Sequence, residues 1–276
     1  MLLKNKNFAL CAICIFSIMM TTKAWAADSD SQYDVVGITL GMTVEEARQK
    51  LLDFGIEEPS IYETRMSYSY SDGINHNFKT DDFVYRIIGA NKALYKDGKQ
   101  HSDSITLYFS PPPEGGRLVG LQRLLLNGID PVTGSQFKQA VIEKYGEPIA
   151  ANSSTLNWKF GSGNKNCLSN SQDGTGVTLP DNSKNKSILD MIFVKRSGQY
   201  RLDLFRVSRI KNLDECANML EFKLTATDTK PANSVTTTMI DIPFWVHAEL
   251  AAGAEVERLR KAAVEKREGK GKVPAL

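Results

Sequence analysis

Three histidines, four cysteines and 32 carboxylates are the side chains from which this 276-residue chain would assemble any chemistry. His76, His101 and His247 stand in different segments, and no HExxH pattern places two metal ligands one helical turn apart. There is also no GxSxG, the pattern that lifts a serine onto a sharp strand-to-helix turn. The pairs Glu45 with Glu46, Glu57 with Glu58 and Asp81 with Asp82 have the residue type for acid-base cleavage of a glycoside. Sequence neighbours point in different directions, however, so these pairs read as solvated. Asp173, Gly174, Thr175 and Gly176 look like part of a calcium loop, without its alternating oxygen ligands and closing glutamate. No metal, no cofactor and no catalytic residue is implied. The enzyme alternative that stays open is a cell-envelope hydrolase with carboxylates assembled from distant loops.

The aromatics point elsewhere. Tyr62, Tyr68, Tyr70, Phe78, Phe83 and Tyr85 crowd into residues 62–85. Strand alternation puts Tyr68 and Tyr70 on one face, where they either cover the core or form a contact surface with low ordering cost. They are the candidate binding residues.

These side chains act in a compartment that the N-terminus predicts. Lys4 and Lys6 precede an apolar run over residues 8–20, and Ala24 and Ala26 flank Trp25 in the small-x-small pattern of a signal-peptidase site. A bilayer-spanning helix needs roughly 20 apolar residues, and Thr21, Thr22 and Lys23 end this run first, so a cleaved signal peptide over 1–26 is expected rather than a retained anchor. Cys11 and Cys14 sit inside the apolar run, not at the cleavage point, so no lipid anchor is expected. The mature protein is read as periplasmic or secreted. Three of the 34 basic residues leave with the leader and all 32 acidic ones remain, so the mature chain is nearly neutral. Nucleic acid is therefore not an expected partner. Cys167 and Cys216 survive cleavage, and a lone pair in an oxidising compartment reads as one disulfide. Closing a loop of about 50 residues, it would stabilise by roughly 3 to 4 kcal/mol.

The elements that position these residues follow from periodicity and caps. Thr43 with Glu46 forms a capping box, opening a helix that carries Val44, Ala47, Leu51 and Leu52 and stops at Gly55. Residues 61–126 read as strands, with segments at 83–88, 105–109 and 118–126 and a turn over 111–116. Further strand-like stretches fall at 221–227 and 235–240. An Ala-, Glu-, Arg- and Lys-rich helix is expected over 248–267, with a narrow apolar seam, a local weakness at Gly253 and a mild basic excess towards its end. That excess could touch an anionic surface or be a solvated face.

The order of elements recurs. Gly37 and Ile38 fall on Gly128 and Ile129 at a shift of 91 residues, and Phe54 and Gly55 fall on Tyr145 and Gly146. At a shift of 84, the strands at 105–109 and 117–121 fall on 189–193 and 201–205, and a polar segment over 161–186 interrupts the second unit. The run Gly37, Ile38, Thr39, Leu40, Gly41, Met42, Thr43, Val44, Glu45, Glu46 and Ala47, with Lys144, Tyr145, Gly146, Glu147 and Pro148, resembles openings of small exported bacterial domains. These look like the superfamily that includes the β-lactamase inhibitor protein and the small lipoprotein of the outer-membrane barrel-assembly machinery. The resemblance implies short helices packed on an antiparallel sheet, in tandem in the inhibitors, and binding through surfaces that differ between members. The missing lipidated cysteine and the insertion depart from that pattern, and no site residue transfers.

The sequence thus predicts an α+β protein. Its parts are a signal peptide (1–26), a first unit (27–127), a second unit with a polar loop (128–243) and a C-terminal helix with a frayed tail (244–276). It would bind another protein or an envelope component, or serve as an accessory subunit docked through its last helix.

Overall fold

The computed structural model describes residues 33–74, 76–96, 98–127, 132–164, 216–225 and 229–269. Ala24, Ala26 and Cys167 lie outside them, as do Gly128, Ile129 and the stretches 189–193 and 201–205 on which the repeat was partly aligned.

Helix α1 (Val44–Asp53) begins where the sequence places it: the Thr43 hydroxyl accepts the Glu46 N–H at 3.3 Å, and the Glu46 carboxylate accepts the Thr43 N–H at 2.8 Å. It ends at Phe54, followed by Gly55 with φ +94°. Helix α2 (Gly134–Tyr145) uses the same device, with Thr133 and Gln136 as reciprocal partners. That second capping box went unread in the sequence. Helix α3 (Ile242–Glu268) starts earlier than expected, because the Asp241 carboxylate accepts the Phe244 N–H at 2.9 Å and Pro243 stands in the first turn.

The strands are β1 (Ile61–Met66), β2 (Ser69–Ser71), β3 (Asn77–Lys79), β4 (Phe83–Ala90), β5 (Leu94–Lys96), β6 (Lys99–Phe109), β7 (Leu118–Leu126), β8 (Ala150–Ala151), β9 (Thr155–Phe160), β10 (Asn218–Leu224) and β11 (Ser234–Ile240). One antiparallel sheet runs β1-β4-β6-β7-β11-β10-β9-β8, β5 pairs with β6, and β2 and β3 form a separate hairpin. Of the strand-like stretch expected at 221–227, residues 221–224 belong to β10, which begins at Asn218, and 226 and 227 lie outside the described residues. Among the described residues the fold is α+β: three α-helices with a mostly antiparallel sheet.

Two layers of packing use the two faces. On one face, Ala47 and Leu51 of α1 and Val141 and Tyr145 of α2 bury against Ile87, Ile105, Leu107, Leu121, Trp158, Leu220 and Phe222. Each such buried aliphatic or aromatic side chain is worth roughly 1.5 to 3 kcal/mol. Gly89 lets α1 approach closely, since a Cβ there would lie 3.0 Å from Ile56 and 3.2 Å from Leu51. Helix α3 adds nothing to that cluster and packs instead with Tyr68, Met66, Tyr70 and Phe83.

A bulge decides which aromatics serve which face. In β1–β4, Arg65 pairs with Val84 and Thr64 with Arg86, which makes Tyr85 the extra residue of a bulge. Val84 and Ile87 both join the first cluster, while Tyr85 stands edge-on to Tyr108 at 6.0 Å. Simple alternation would put Tyr85 with Ile87. The extra residue reverses it.

Candidate functional site

The β2–β3 hairpin gathers the aromatic segment into one corner. Its register sets Tyr70 opposite Phe78, their rings stacked at 5.4 Å. The loop between the strands folds around Asp72, whose buried carboxylate accepts the N–H groups of Ile74 and His76 at 3.2 Å and pairs with His76 Nδ1 at 3.0 Å. Gly73, at φ +89°, makes the turn possible. At the base, Tyr68 and Thr80 close a pair of hydrogen bonds at 2.9 Å.

Helix α3 holds this hairpin from behind. Tyr68 is only 5% exposed, packed on Ala252, Val256 and Phe83, and its hydroxyl donates to Glu249 Oε2 at 3.4 Å. At the far end of the helix, Arg267 Nη1 donates to the Asp72 carbonyl. Of the two tyrosines singled out in the sequence, Tyr68 therefore lies inside and Tyr70 is half-buried beneath Phe78. The outward surface is made by Phe78, 40% exposed, and Ile74, 66% exposed. Ile74 was missed in the sequence. Its signal was the Asp72-Gly73 dipeptide between Tyr70 and Phe78, a hairpin turn that exposes whatever follows it.

A concave feature of about 260 Å³ lies between α2 and the sheet and is lined by Val35, Phe137, Val141, Tyr145, Phe222 and Val235 among others. Two cations stand at its edge, each already matched. Arg123 makes two hydrogen bonds to Asp103, at 2.9 and 2.6 Å, and lies 5.1 Å over the Phe54 ring. Lys144 pairs with Asp34 at 2.9 Å, and Tyr145 donates to the Asp34 carbonyl at 2.5 Å. Burial opposes the charge on Lys144, but hydrogen bonds to Asp34 and Tyr145 outweigh it and raise its pKa above the ordinary lysine value. For the Tyr145 phenol, by contrast, burial is what raises the pKa. The cleft can seat an apolar group; its polar atoms are committed to the fold.

The remaining sequence candidates are dispersed. The carboxylates of Glu45, Glu46, Glu57, Glu58, Asp81 and Asp82 are all exposed. His101 is hydrogen-bonded to backbone carbonyls at Asn127 and Lys96, and His247 is exposed on α3. Among the described residues no three His, Cys, Asp or Glu side chains gather as a metal would require. Cys216 is buried just before β10. No helix among the described residues is long and apolar enough to cross a membrane. Compared with known proteins, the chain matches no family model, no curated protein and no solved structure.

Proposed function

We propose that this chain is an exported, non-catalytic binding protein, cleaved after Ala26 and working in the periplasm or outside the cell, that holds another protein or an envelope component. The observation that carries the proposal is the corner of Ile74, Phe78 and Tyr70: two exposed apolar side chains beside a half-buried tyrosine, on a hairpin braced by Asp72 and by α3. Aromatic anchors whose rotamers are already fixed lose little entropy on binding, as a contact surface requires.

The same proposal takes the chain as two related units, 27–127 and 128–243, of the kind found in the β-lactamase inhibitor superfamily. Support comes from three parallels. Each half opens with a threonine-capped helix. Each threonine forms a backbone bridge to a later segment, Thr43 to Arg117 and Thr133 to Pro231. From the outer edges inward, the sheet order is β1-β4-β6-β7 in one half and β8-β9-β10-β11 in the other, with β7 and β11 meeting at the centre. On this alignment β7 corresponds to β11; residues 201–205, on which 117–121 was matched, lie outside the described residues. A disulfide between Cys167 and Cys216 belongs to the same reading, supported by the burial of Cys216 and the oxidising compartment.

The test is crosslinking in intact cell envelopes, comparing the wild type with Ile74→Ser/Phe78→Ser, followed by reconstitution with the purified captured partner. Both side chains are exposed, so the variant should keep its fold by circular dichroism. Loss of a single partner in the variant supports the proposal. A partner retained at wild-type level by the folded variant removes the hairpin from the contact.

A further inference from the structure

We infer that β1, at one edge of the sheet, joins two copies of this chain, the two strands pairing antiparallel about a two-fold axis that passes between their Thr64 residues. The inference rests neither on the aromatic corner nor on export of the chain. Among the described strands β1 has β4 as its one neighbour, so its other side carries backbone N–H and C=O groups with no strand to receive them. The opposite edge of the same sheet ends in β8, which is two residues long. A very short edge strand is one way in which proteins prevent pairing between copies, whereas a regular edge of six residues is a template for it. The extra residue of the bulge, Tyr85, lies in β4, so β1 keeps its alternation from end to end.

The side chains of β1 are complementary to themselves in one register. Alternation puts Ile61, Glu63 and Arg65 on the face of the large core cluster and Tyr62, Thr64 and Met66 on the face of the α3 cluster. Antiparallel pairing centred on Thr64 sets Glu63 opposite Arg65 of the other copy, Tyr62 opposite its Met66, and the two Thr64 side chains opposite each other. Opposite charges, an aromatic ring beside a thioether and threonine with threonine are all favourable cross-strand neighbours. Centring on Glu63 or on Arg65 would set like charges together, and centring on Tyr62 would set Glu63 against Ile61. The charge pattern therefore selects one register among those the backbone allows. Glu63 and Arg65 are exposed and Tyr62 is 64% exposed, so all three are free to meet a second copy. Within one copy Arg65 Nε donates to Glu63 Oε1 at 2.7 Å, an exposed pair worth little by itself. Across the joint two such pairs lie side by side, and each carboxylate then has two guanidinium groups within reach.

One strand per copy is a small joint beside the roughly 20 to 30 residues a side of a standard interface, so the dimer is reversible and forms as concentration rises. The arrangement is also closed. With the two β1 edges joined, one sheet runs through both copies and ends in β8 on either side, leaving no second β1 edge to recruit a third.

The experiment is sedimentation equilibrium of the purified full chain over a range of concentrations. The wild type should show a monomer–dimer equilibrium. Glu63→Arg and Arg65→Glu each bring like charges together at both symmetry-related pairs, and each should weaken the dimer at least tenfold, with thermal melts confirming the folds. Mixing these two variants sets basic side chains of one opposite acidic side chains of the other and should restore dimers. The double exchange Glu63→Arg/Arg65→Glu should dimerise as the wild type does. A wild type that stays monomeric at every concentration overturns the inference. So does a dimer that the single reversals leave intact, or one that neither the mixture nor the double exchange recovers.

Discussion

The hydroxyl of Tyr68, at the base of the β2–β3 hairpin, reaches Glu249 Oε2 at 3.4 Å, joining the hairpin to a helix residue 181 positions further along the chain. Both side chains are buried, so this contact fixes where α3 lies relative to the β2–β3 corner. Tyr68→Phe should destabilise by about 1 kcal/mol, the usual net worth of a hydrogen bond, while Tyr68→Ala should cost about 3 to 5 kcal/mol through the void it leaves. Urea unfolding measures both. A near-neutral Tyr68→Ala would mean that the ring is not part of the packed interface.

Thr43 and Thr133 are the reciprocal caps of α1 and α2. Thr43→Ala and Thr133→Ala should each cost about 1 kcal/mol, and the double variant should be close to additive because the caps share no partner. Hydrogen bonds from the Thr43 backbone and side chain hold the Glu46 carboxyl below its ordinary value of 4.5. Its folded pKa is depressed, so its stabilising effect is present above the ordinary value and is lost as pH falls through the folded one. Glu46→Gln should therefore differ from wild type at neutral pH and converge with it in acid, as read by denaturant midpoints across that range.

Lys144 and Tyr145 predict the opposite pH limb. Both have folded pKa values raised above their ordinary 10.5 and 10.0, so their contributions are complete below those values and fade as pH rises through the folded ones. Asp34→Asn removes the partner of Lys144 and should flatten the alkaline loss of stability. Part of that slope should persist, because burial of the Tyr145 ring remains. An alkaline denaturation profile identical to wild type would show that the pair contributes nothing.

Gly89 is the point where the sheet meets α1. Gly89→Val places methyl groups against Ile56 and Leu51, whose side chains already lie 3.0 and 3.2 Å from an added Cβ. Overpacking should cost about 1 to 3 kcal/mol, seen as a lowered thermal midpoint with the helix signal retained.

Much of the local structure was legible without coordinates. The Thr43 and Glu46 box, the strands at 105–109, 118–126 and 235–240 and a C-terminal helix follow from caps and periodicity, which depend on residues within a few positions of each other. The starts of α2 and α3 were encoded equally locally, in Thr133 with Gln136 and in Asp241 with Pro243, and were overlooked.

By itself, then, the sequence determined the α+β composition, the sites of caps and turns and the near balance of 34 basic against 32 acidic residues. Only the tertiary structure decided which aromatics face outward. Whether Tyr68 is core or surface depends on Glu249, Ala252 and Val256 arriving from α3, and whether Tyr85 joins Ile87 depends on a bulge opposite Thr64 and Arg65. The exposure of Leu94 and Tyr95 likewise depends on where the neighbouring strands β4 and β7 stop pairing. Caps and turns are settled by neighbours along the chain, whereas burial is settled by segments far apart in sequence, and a pattern of residue types does not specify which distant segment will cover it.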